Sequence, residues 1–155
     1  MDRQAYLDSL AKKRMGAGAL FFNVRGEILL VKPSYKEGWI LPGGSVEDHE
    51  SPKTACRREV EEEIGLIISS FRLICVDYCS SKEGEAVQFL FDGGTLTEED
   101  IAKIVIQESE LLGFKFVKEN ELEAHLNTNL KSRVKKSINA IRKNISIYLE
   151  NGEYV

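Results

Sequence analysis

Residues 51–65 constrain the fold more than any other segment, because they carry the start and stop signals of a helix. Ser51 is a typical N-cap, and Pro52 suits a first helical turn, where its missing N–H would have no partner. Gly65 is a typical C-terminal stop. Residues three and four apart are neighbours on a helix, so three carboxylates share one face: Glu59, Glu62 and Glu63.

This crowded acidic face predicts a bound cation. Like charges at this spacing cost a helix about 0.2–0.5 kcal/mol per pair, and the cost rises where water is excluded. Arg58 alone cannot neutralise three carboxylates. A hard divalent cation can, because Mg²⁺ and Mn²⁺ prefer oxygen ligands and accept waters and phosphate oxygens beside one or two carboxylates. A solvated acidic face is the alternative interpretation.

The remaining hydrophobic pattern predicts a mixed α/β arrangement. Strands are predicted at 16–24, 27–32, 66–78, 86–92 and 111–117, with the first two forming a hairpin and the next two lying adjacent across a loop at 80–85. Helices are predicted at 2–15, 118–126 and 129–150, with a short one capped by Thr97. The last helix is amphipathic, and its polar side is basic, which is typical of a solvated helix face.

The two glycines before the acidic helix complete a longer motif. Gly43 and Gly44 follow a short apolar run and are compatible with a tight turn that brings backbone N–H groups close to a ligand. The motif G-x5-E-x7-R-E-U-x-E-E-x-G-U, with U a bulky apolar residue, has every fixed position filled by Gly44, Glu50, Arg58, Glu59, Val60, Glu62, Glu63, Gly65 and Leu66. This motif is the Nudix box, and the sequence resembles the Nudix hydrolase family.

The resemblance implies an α/β/α sandwich built on a mixed β-sheet, in which the box forms a loop, a helix and a loop. It covers the chain from about Gly16 to Leu126. A single Nudix hydrolase domain over 1–155 is therefore expected, with the helices at 1–15 and 129–150 as additions to it.

The resemblance also implies a reaction, the hydrolysis of a pyrophosphate bond with Mg²⁺ as cofactor and Mn²⁺ as its substitute. Glu59, Glu62 and Glu63 would be metal ligands, with the Gly44 carbonyl as an additional one. Arg58 would orient the box through salt bridges, and Glu50 would hold the loop. The general base is either a box glutamate acting on a water held among the three, or a later acid, Glu108 or Glu110.

The substrate side of the site carries no clear motif. Trp39 and Tyr35 are candidates to stack on a nucleobase, as are Phe22 and Tyr78, because aromatic faces supply contact area at low entropy cost. Arg25, Lys32 and Arg72 are candidates to meet phosphates. Packing and ordinary strand-edge positions are the alternatives. A nucleoside diphosphate linked to another moiety is the expected substrate, with a non-catalytic nucleotide-binding sensor or regulator as the alternative function.

Composition bounds the partners and the compartment. The 155 residues are 43% hydrophobic and suit one domain, and the net charge of −4 gives no electrostatic footprint for a nucleic-acid polymer. No segment has the pattern of a signal peptide or a membrane span. Cys56, Cys75 and Cys79 lack metal-ligand spacing and are expected to be reduced thiols. We therefore expect a cytoplasmic protein that binds a small nucleotide-derived molecule, does not bind membranes and can form a homodimer.

Overall fold

A mixed seven-stranded β-sheet lies at the centre of the computed structural model, which describes residues 1–68 and 70–155. The elements in chain order are α1 (Arg3–Ser9), β1 (Arg14–Phe22), β2 (Ile28–Pro33), β3 (Gly43–Ser45), α2 (Pro52–Ile64), β4 (Arg72–Ser81), β5 (Gly84–Thr95), α3 (Glu98–Ala102), β6 (Leu111–Val117), a 3₁₀ helix (Glu119–Ala124), α4 (Thr128–Lys143) and β7 (Ile147–Glu150). The strand order is β6-β2-β1-β5-β4-β7, and β3 pairs with β1.

Each face of the sheet is covered by a helix. Successive side chains of a strand point to opposite faces, so Ala19 and Phe21 of β1 pack with Val60 of α2 in one core. Leu20 of the same strand packs with Val134 of α4 in the other. The predicted α/β/α sandwich on a mixed sheet is confirmed. In the described part of the chain, no helix is both long and apolar enough to cross a membrane.

The prediction of one helix over 2–15 is wrong beyond Ser9. Asp2 caps α1 by accepting a hydrogen bond from the backbone of Ala5, but α1 has no buried residue. Arg14 and Met15 instead begin β1, where they pair with β5. Strand pairing satisfies backbone groups with partners that are distant in sequence, and those partners outweigh a weak local helical pattern.

The prediction of a helix over 129–150 is wrong beyond Lys143. Asn144 ends α4 in the left-handed conformation with φ 54°, which Asn tolerates. The segment then returns as β7, which pairs in parallel with β4. Leu149 is fully buried while Tyr148 is exposed, so the apolar residues that continued the helical spacing belong to a strand with alternating faces.

Other strand boundaries also differ from the predictions. The strand predicted from Leu66 begins only at Arg72, although Leu66 and Phe71 are buried beneath α2; Ser69 of that prediction lies outside the described residues. The predicted loop at 80–85 is shorter, since β4 and β5 pair as far as Ser81 and Gly84. The β1–β2 hairpin, the Thr97 cap of α3, the short helix after β6 and β6 itself are confirmed.

The basic residues of α4 pair with acids of the same chain. Lys135 lies 2.7 Å from Glu123, and Arg142 lies 2.6 Å from Glu119. These pairs are exposed to solvent and contribute little to stability. They agree with the interpretation of the basic side as an ordinary solvated helix face.

A buried ion pair joins α4 to the sheet. Asp77 of β4 is fully buried, and its Oδ2 accepts a hydrogen bond of 2.7 Å from Nε of Arg133 on α4. Its Oδ1 accepts a second bond, of 3.0 Å, from the backbone N–H of Gly152 after β7. One carboxylate therefore holds the C-terminal helix and the C-terminal turn on the same strand.

Removing Asp77 should destabilise the fold strongly. We expect Asp77→Ala to lower the free energy of unfolding by about 3–5 kcal/mol, because it leaves a largely buried arginine without its counter-charge. Urea denaturation followed by circular dichroism measures this value. Glu123→Ala is the matched control, since it removes an exposed ion pair to the same helix and should leave the denaturation midpoint nearly unchanged. Equal midpoint shifts in the two variants would contradict the role of Asp77.

Candidate active site

The predicted tight turn at Gly43 and Gly44 is wrong, because both glycines lie in the extended strand β3. Gly43 pairs with Gly18 and Gly44 pairs with Ala17. Gly43 has φ 153°, and a Cβ atom there would lie 2.3 Å from the Ala17 carbonyl oxygen. A Cβ atom on Gly44 would lie 2.4 Å from the carboxyl carbon of Glu59. The glycines are required for close approach on both sides of β3.

Glu63 is the most deeply buried acid of the site, with 4% of its surface exposed. Its Oε2 accepts a hydrogen bond of 3.1 Å from the backbone N–H of Gly43. The pKa of Glu63 is raised to about 8, and burial is the largest cause. The charges of Glu59, Glu110 and Glu62 also raise it, whereas the hydrogen bond from Gly43 lowers it. A carboxyl group desolvated among other carboxylates favours a nearby cation.

The predicted helix of the box is confirmed as α2. Ser51 accepts a hydrogen bond from the Thr54 backbone, and Gly65 ends the helix in the left-handed conformation with φ 71°. Glu59 and Glu62 lie on the same side of α2 as Glu63. Burial raises the pKa of Glu59 despite its 2.8 Å bond from Arg58, whereas the Glu62 side chain is 47% exposed.

Arg58 holds the loop between β3 and α2. Its Nε and Nη2 donate to the two carboxylate oxygens of Glu50 at 2.8 and 3.0 Å, and Nη2 also donates to the Ser45 carbonyl at 3.1 Å. The hydrogen bonds from Arg58, with one from the Glu47 backbone, lower the pKa of Glu50 to about 2. Glu50 therefore stays ionised and fixes the loop in one conformation.

The loop before β6 brings a further acid to the box glutamates. The backbone N–H groups of Val105 and Gln107 donate to the carbonyls of Ile64 and Glu63 at 3.0 and 2.9 Å. Glu110 follows in this loop, and its charge contributes to the raised pKa values of Glu59 and Glu63. Glu108 lies exposed in the same loop.

A groove of about 870 Å³ begins at Gly43 and Gly44 and lies along the end of the sheet. Its volume is within the range of small-molecule sites. It reaches the tip of the β4–β5 hairpin and the start of α4, and its lining includes Met15, Phe89, Leu90, Gln88, Asn127 and Arg133. Sequence reasoning missed these six residues, because they are divided among β1, β5 and the start of α4 and carry no motif.

The structure brings one predicted aromatic residue, Tyr35, to the groove and the carboxylates. Tyr35 lines the groove, and its pKa is raised by partial burial and by the charges of Glu63, Glu110 and Glu59. Trp39 instead packs edge-on against His125, and the Lys115 ammonium lies 4.3 Å from its ring centroid. Trp39 is therefore engaged by residues of its own chain.

The predicted phosphate contacts, Arg25, Lys32 and Arg72, do not line the groove. The Lys32 ammonium donates to the Gly38 carbonyl at 3.1 Å. Arg25 lies in the β1–β2 turn and pairs with Glu27. This turn follows the C-terminal end of β1, whereas β3 pairs with the N-terminal half of β1. Arg72 donates to the Ile145 carbonyl.

The other two predicted aromatic residues also contact residues of this chain. The Tyr78 hydroxyl bonds to Glu85, and Phe22 packs beside the α4-side core.

The donor set suits a cation that is shared with a ligand. Among residues 1–68 and 70–155, no three His, Cys, Asp or Glu side chains converge closely enough to enclose an ion. Mg²⁺ commonly binds through one or two carboxylates together with waters and substrate phosphates. The carboxylates of Glu59, Glu62 and Glu63 fit that mode, because Glu63 is desolvated and Glu62 faces solvent.

Comparison with known proteins decides the family. The sequence model of the NUDIX domain matches residues 12–139. The chain belongs to the NUDIX domain family. The MutT protein from Methanosarcina mazei Go1 is similar, with a TM-score of 0.67 and 25% identity over 88% of this chain and 99% of that one. A UDP-X diphosphatase has a TM-score of 0.71 and 20% identity, covering 96% of this chain and 75% of the other, which shows likeness of fold.

The curated relatives match the Nudix chain over a shorter stretch. The RNA pyrophosphohydrolase of Rhodospirillum rubrum is 40% identical over 53 residues, which are 34% of this chain and 32% of the relative. The chain spans about a third of the length of the curated relatives it matches. The family match reaches beyond the resemblance seen in the sequence and includes most of α4.

The raised pKa of Glu63 predicts a pH dependence of stability in the metal-free protein. Its folded-state value of about 8 lies above the value of about 4.3 for an unfolded chain. The folded state therefore binds more protons between these values, and stability falls as pH rises from about 4.3 towards 8. Thermal unfolding in EDTA measures this decline, which Glu63→Gln should reduce. Glu61→Gln, an exposed neighbour, is the control; an identical decline in Glu63→Gln would contradict the assignment.

Proposed function

We propose that this Nudix protein is a Mg²⁺-dependent hydrolase that cleaves the pyrophosphate bond of a nucleoside diphosphate linked to another moiety. The observation that carries the proposal is the position of β3. Its glycines contact the carboxylates of Glu59 and Glu63 on one side and line the 870 Å³ groove on another. A molecule in that groove would have its phosphates beside the acidic face of α2.

The residues that would hold Mg²⁺ are Glu59, Glu62 and Glu63, with the Gly44 carbonyl as an additional ligand. When bound, the cation neutralises charge on the phosphoryl oxygens and helps to hold the attacking water. Mn²⁺ prefers similar oxygen ligands and would substitute. The burial of Glu59 and Glu63 close to other carboxylates, which raises the pKa values of both, supports this assignment.

The protein's own groups would orient and deprotonate the water. The water oxygen attacks phosphorus, the bond to the bridging oxygen breaks, and the water proton passes to a carboxylate. A box glutamate is our first candidate for the base, and Glu110 is the alternative. Arg58 and Glu50 act indirectly, since they hold the loop between β3 and α2 through the bonds described above.

The size of the groove and its mixed polar and apolar lining support a substrate of nucleotide size. The names of similar proteins, an RNA pyrophosphohydrolase and a UDP-X diphosphatase, belong to enzymes that cleave related bonds. The complete set of box carboxylates favours turnover over a non-catalytic sensor. The proposal includes a cytoplasmic location, in keeping with free Cys56, Cys75 and Cys79; homodimer formation stays a prediction.

Glu62→Gln should lower turnover by about 100-fold or more, the loss typical when a group that stabilises transition-state charge is removed. It removes a charge without changing the shape of the side chain. Activity is measured as product release from nucleoside triphosphates, nucleotide sugars, dinucleoside polyphosphates and 5′-triphosphorylated RNA with Mg²⁺ or Mn²⁺. Glu61→Gln, on the neighbouring exposed position, should retain activity. If metal binds and no compound yields product, the protein is not this hydrolase.

The base is identified by a second pair of variants. If Glu110 takes the proton, Glu110→Gln should lower kcat by about 100-fold or more. Glu108→Gln should leave kcat unchanged, because Glu110, and not Glu108, is among the charges that raise the pKa values of Glu59 and Glu63. Single-turnover rates across a pH series measure the chemical step. Unchanged rates in both variants would assign the base to the box.

A further inference from the structure

The groove extends well beyond the acidic face of α2. Ser45 pairs with Gly16, Gly16 pairs with Gln88, and Gln88 pairs with Asp77, so these residues form one row across four strands. Neighbouring strands lie about 4.8 Å apart, so the row is about 14 Å long. A ligand with phosphates at the β3 end would place its other end near Gln88 and Asp77. We call this other end the distal groove, lined by Gln88, Cys79, Asn127 and Arg133.

Arg133 lies in the wall of the distal groove with part of its donor capacity unused. Its Nε bonds to Asp77 and its Nη2 lies 3.2 Å from Sγ of Cys79. Among the residues that the structure describes, none accepts a hydrogen bond from its Nη1. The side chain is 13% exposed, so Asp77 and the surrounding packing hold the guanidinium in place.

The charge of Arg133 is already balanced by Asp77 at 2.7 Å. A phosphate in the distal groove would gain little from a neutralised cation, and it would bring its own charge close to Asp77. An uncharged hydrogen-bond acceptor suits the site better, because a guanidinium has donors and no acceptor. Leu90 of β5, which lies on the same face of the sheet as Gln88, adds apolar surface for a planar ring.

Gln88 supplies a second polar group on the groove floor. A Cβ atom on Gly16 would lie 2.3 Å from Oε1 of Gln88, so the amide lies directly over the β1 backbone. No described residue forms a hydrogen bond with that amide. Because an amide both donates and accepts, Gln88 can bind either a donor or an acceptor of a nucleobase. Arg133 only donates, so it needs an acceptor at the position that it faces.

We propose that the distal groove binds the nucleobase of the substrate, and that Arg133 selects guanine and uracil, which carry a carbonyl oxygen at the ring position where adenine carries its amino group. The selection rests on the proposed function, since that function puts the phosphates beside α2. Guanine and uracil offer a carbonyl acceptor to a guanidinium donor. Adenine presents an amino donor at the corresponding edge, which would leave two donors facing each other and unpaired.

Binding of mononucleotides tests the selection separately from hydrolysis, because GMP, UMP and AMP contain no pyrophosphate bond. Isothermal titration calorimetry with Mg²⁺ should give dissociation constants for GMP and UMP about tenfold or more below that for AMP. Equal affinity for the three nucleotides, or no measurable binding of any, would overturn the proposal in the unmodified protein.

Arg133→Lys should remove the preference, because lysine keeps the charge beside Asp77 and loses the planar fork of donors. Arg142→Lys is the matched control, since Arg142 lies on the same helix and pairs with exposed Glu119. Gln88→Leu should weaken the binding of all three nucleotides alike.

The outcomes separate this inference from the proposed function. A preference that survives in Arg133→Lys overturns the role of Arg133. Base preference without hydrolysis of any compound would contradict the proposed function alone, and hydrolysis without base preference would contradict this inference alone.

Discussion

Close packing of β3 between β1 and α2 is the constraint on which the candidate active site depends. A side chain on Gly43 would collide with the Ala17 carbonyl, and one on Gly44 would collide with the Glu59 carboxylate. Because the backbone comes this close, Gly43 can donate its N–H to Glu63 while the carboxylate stays out of water. Burial then raises the pKa of Glu63. The electrostatics of the acidic face therefore follow from backbone packing as much as from the number of acids.

Two arginines fix the two ends of the groove in different ways. All three guanidinium nitrogens of Arg58 bond to the box loop and the α2 glutamates. Arg133 bonds to Asp77 and Cys79 and keeps Nη1 for another partner. The first arginine makes a rigid frame beside the proposed phosphate site, and the second would combine anchorage with the proposed recognition of a base. Buried ion pairs add little net stability when compared with apolar packing, so their retention here is better explained by the positions they hold.

Elements with strong local signals were predictable. The α2 helix follows from Ser51, Pro52 and Gly65, and the box glutamates share the face that helical spacing requires. The predictions for the ends of α1 and α4 were wrong because strand pairing with β5 and β4 overrode a helical pattern. Leu149 fits both the helical spacing and the alternation of a strand, since an apolar residue can continue a helix face or occupy one side of a strand.

The sequence by itself determined the family and the carboxylate face, because the box spans one short segment and helical geometry relates its members directly. It also supplied Glu110 as a second candidate for the base. Only the tertiary structure decided that β3 is extended, that Tyr35 reaches the carboxylates, and that a groove continues to Arg133. Asp77 and Arg133 are 56 residues apart and meet because α4 packs across β4. Such a meeting depends on strand order and helix packing, which no local spacing encodes.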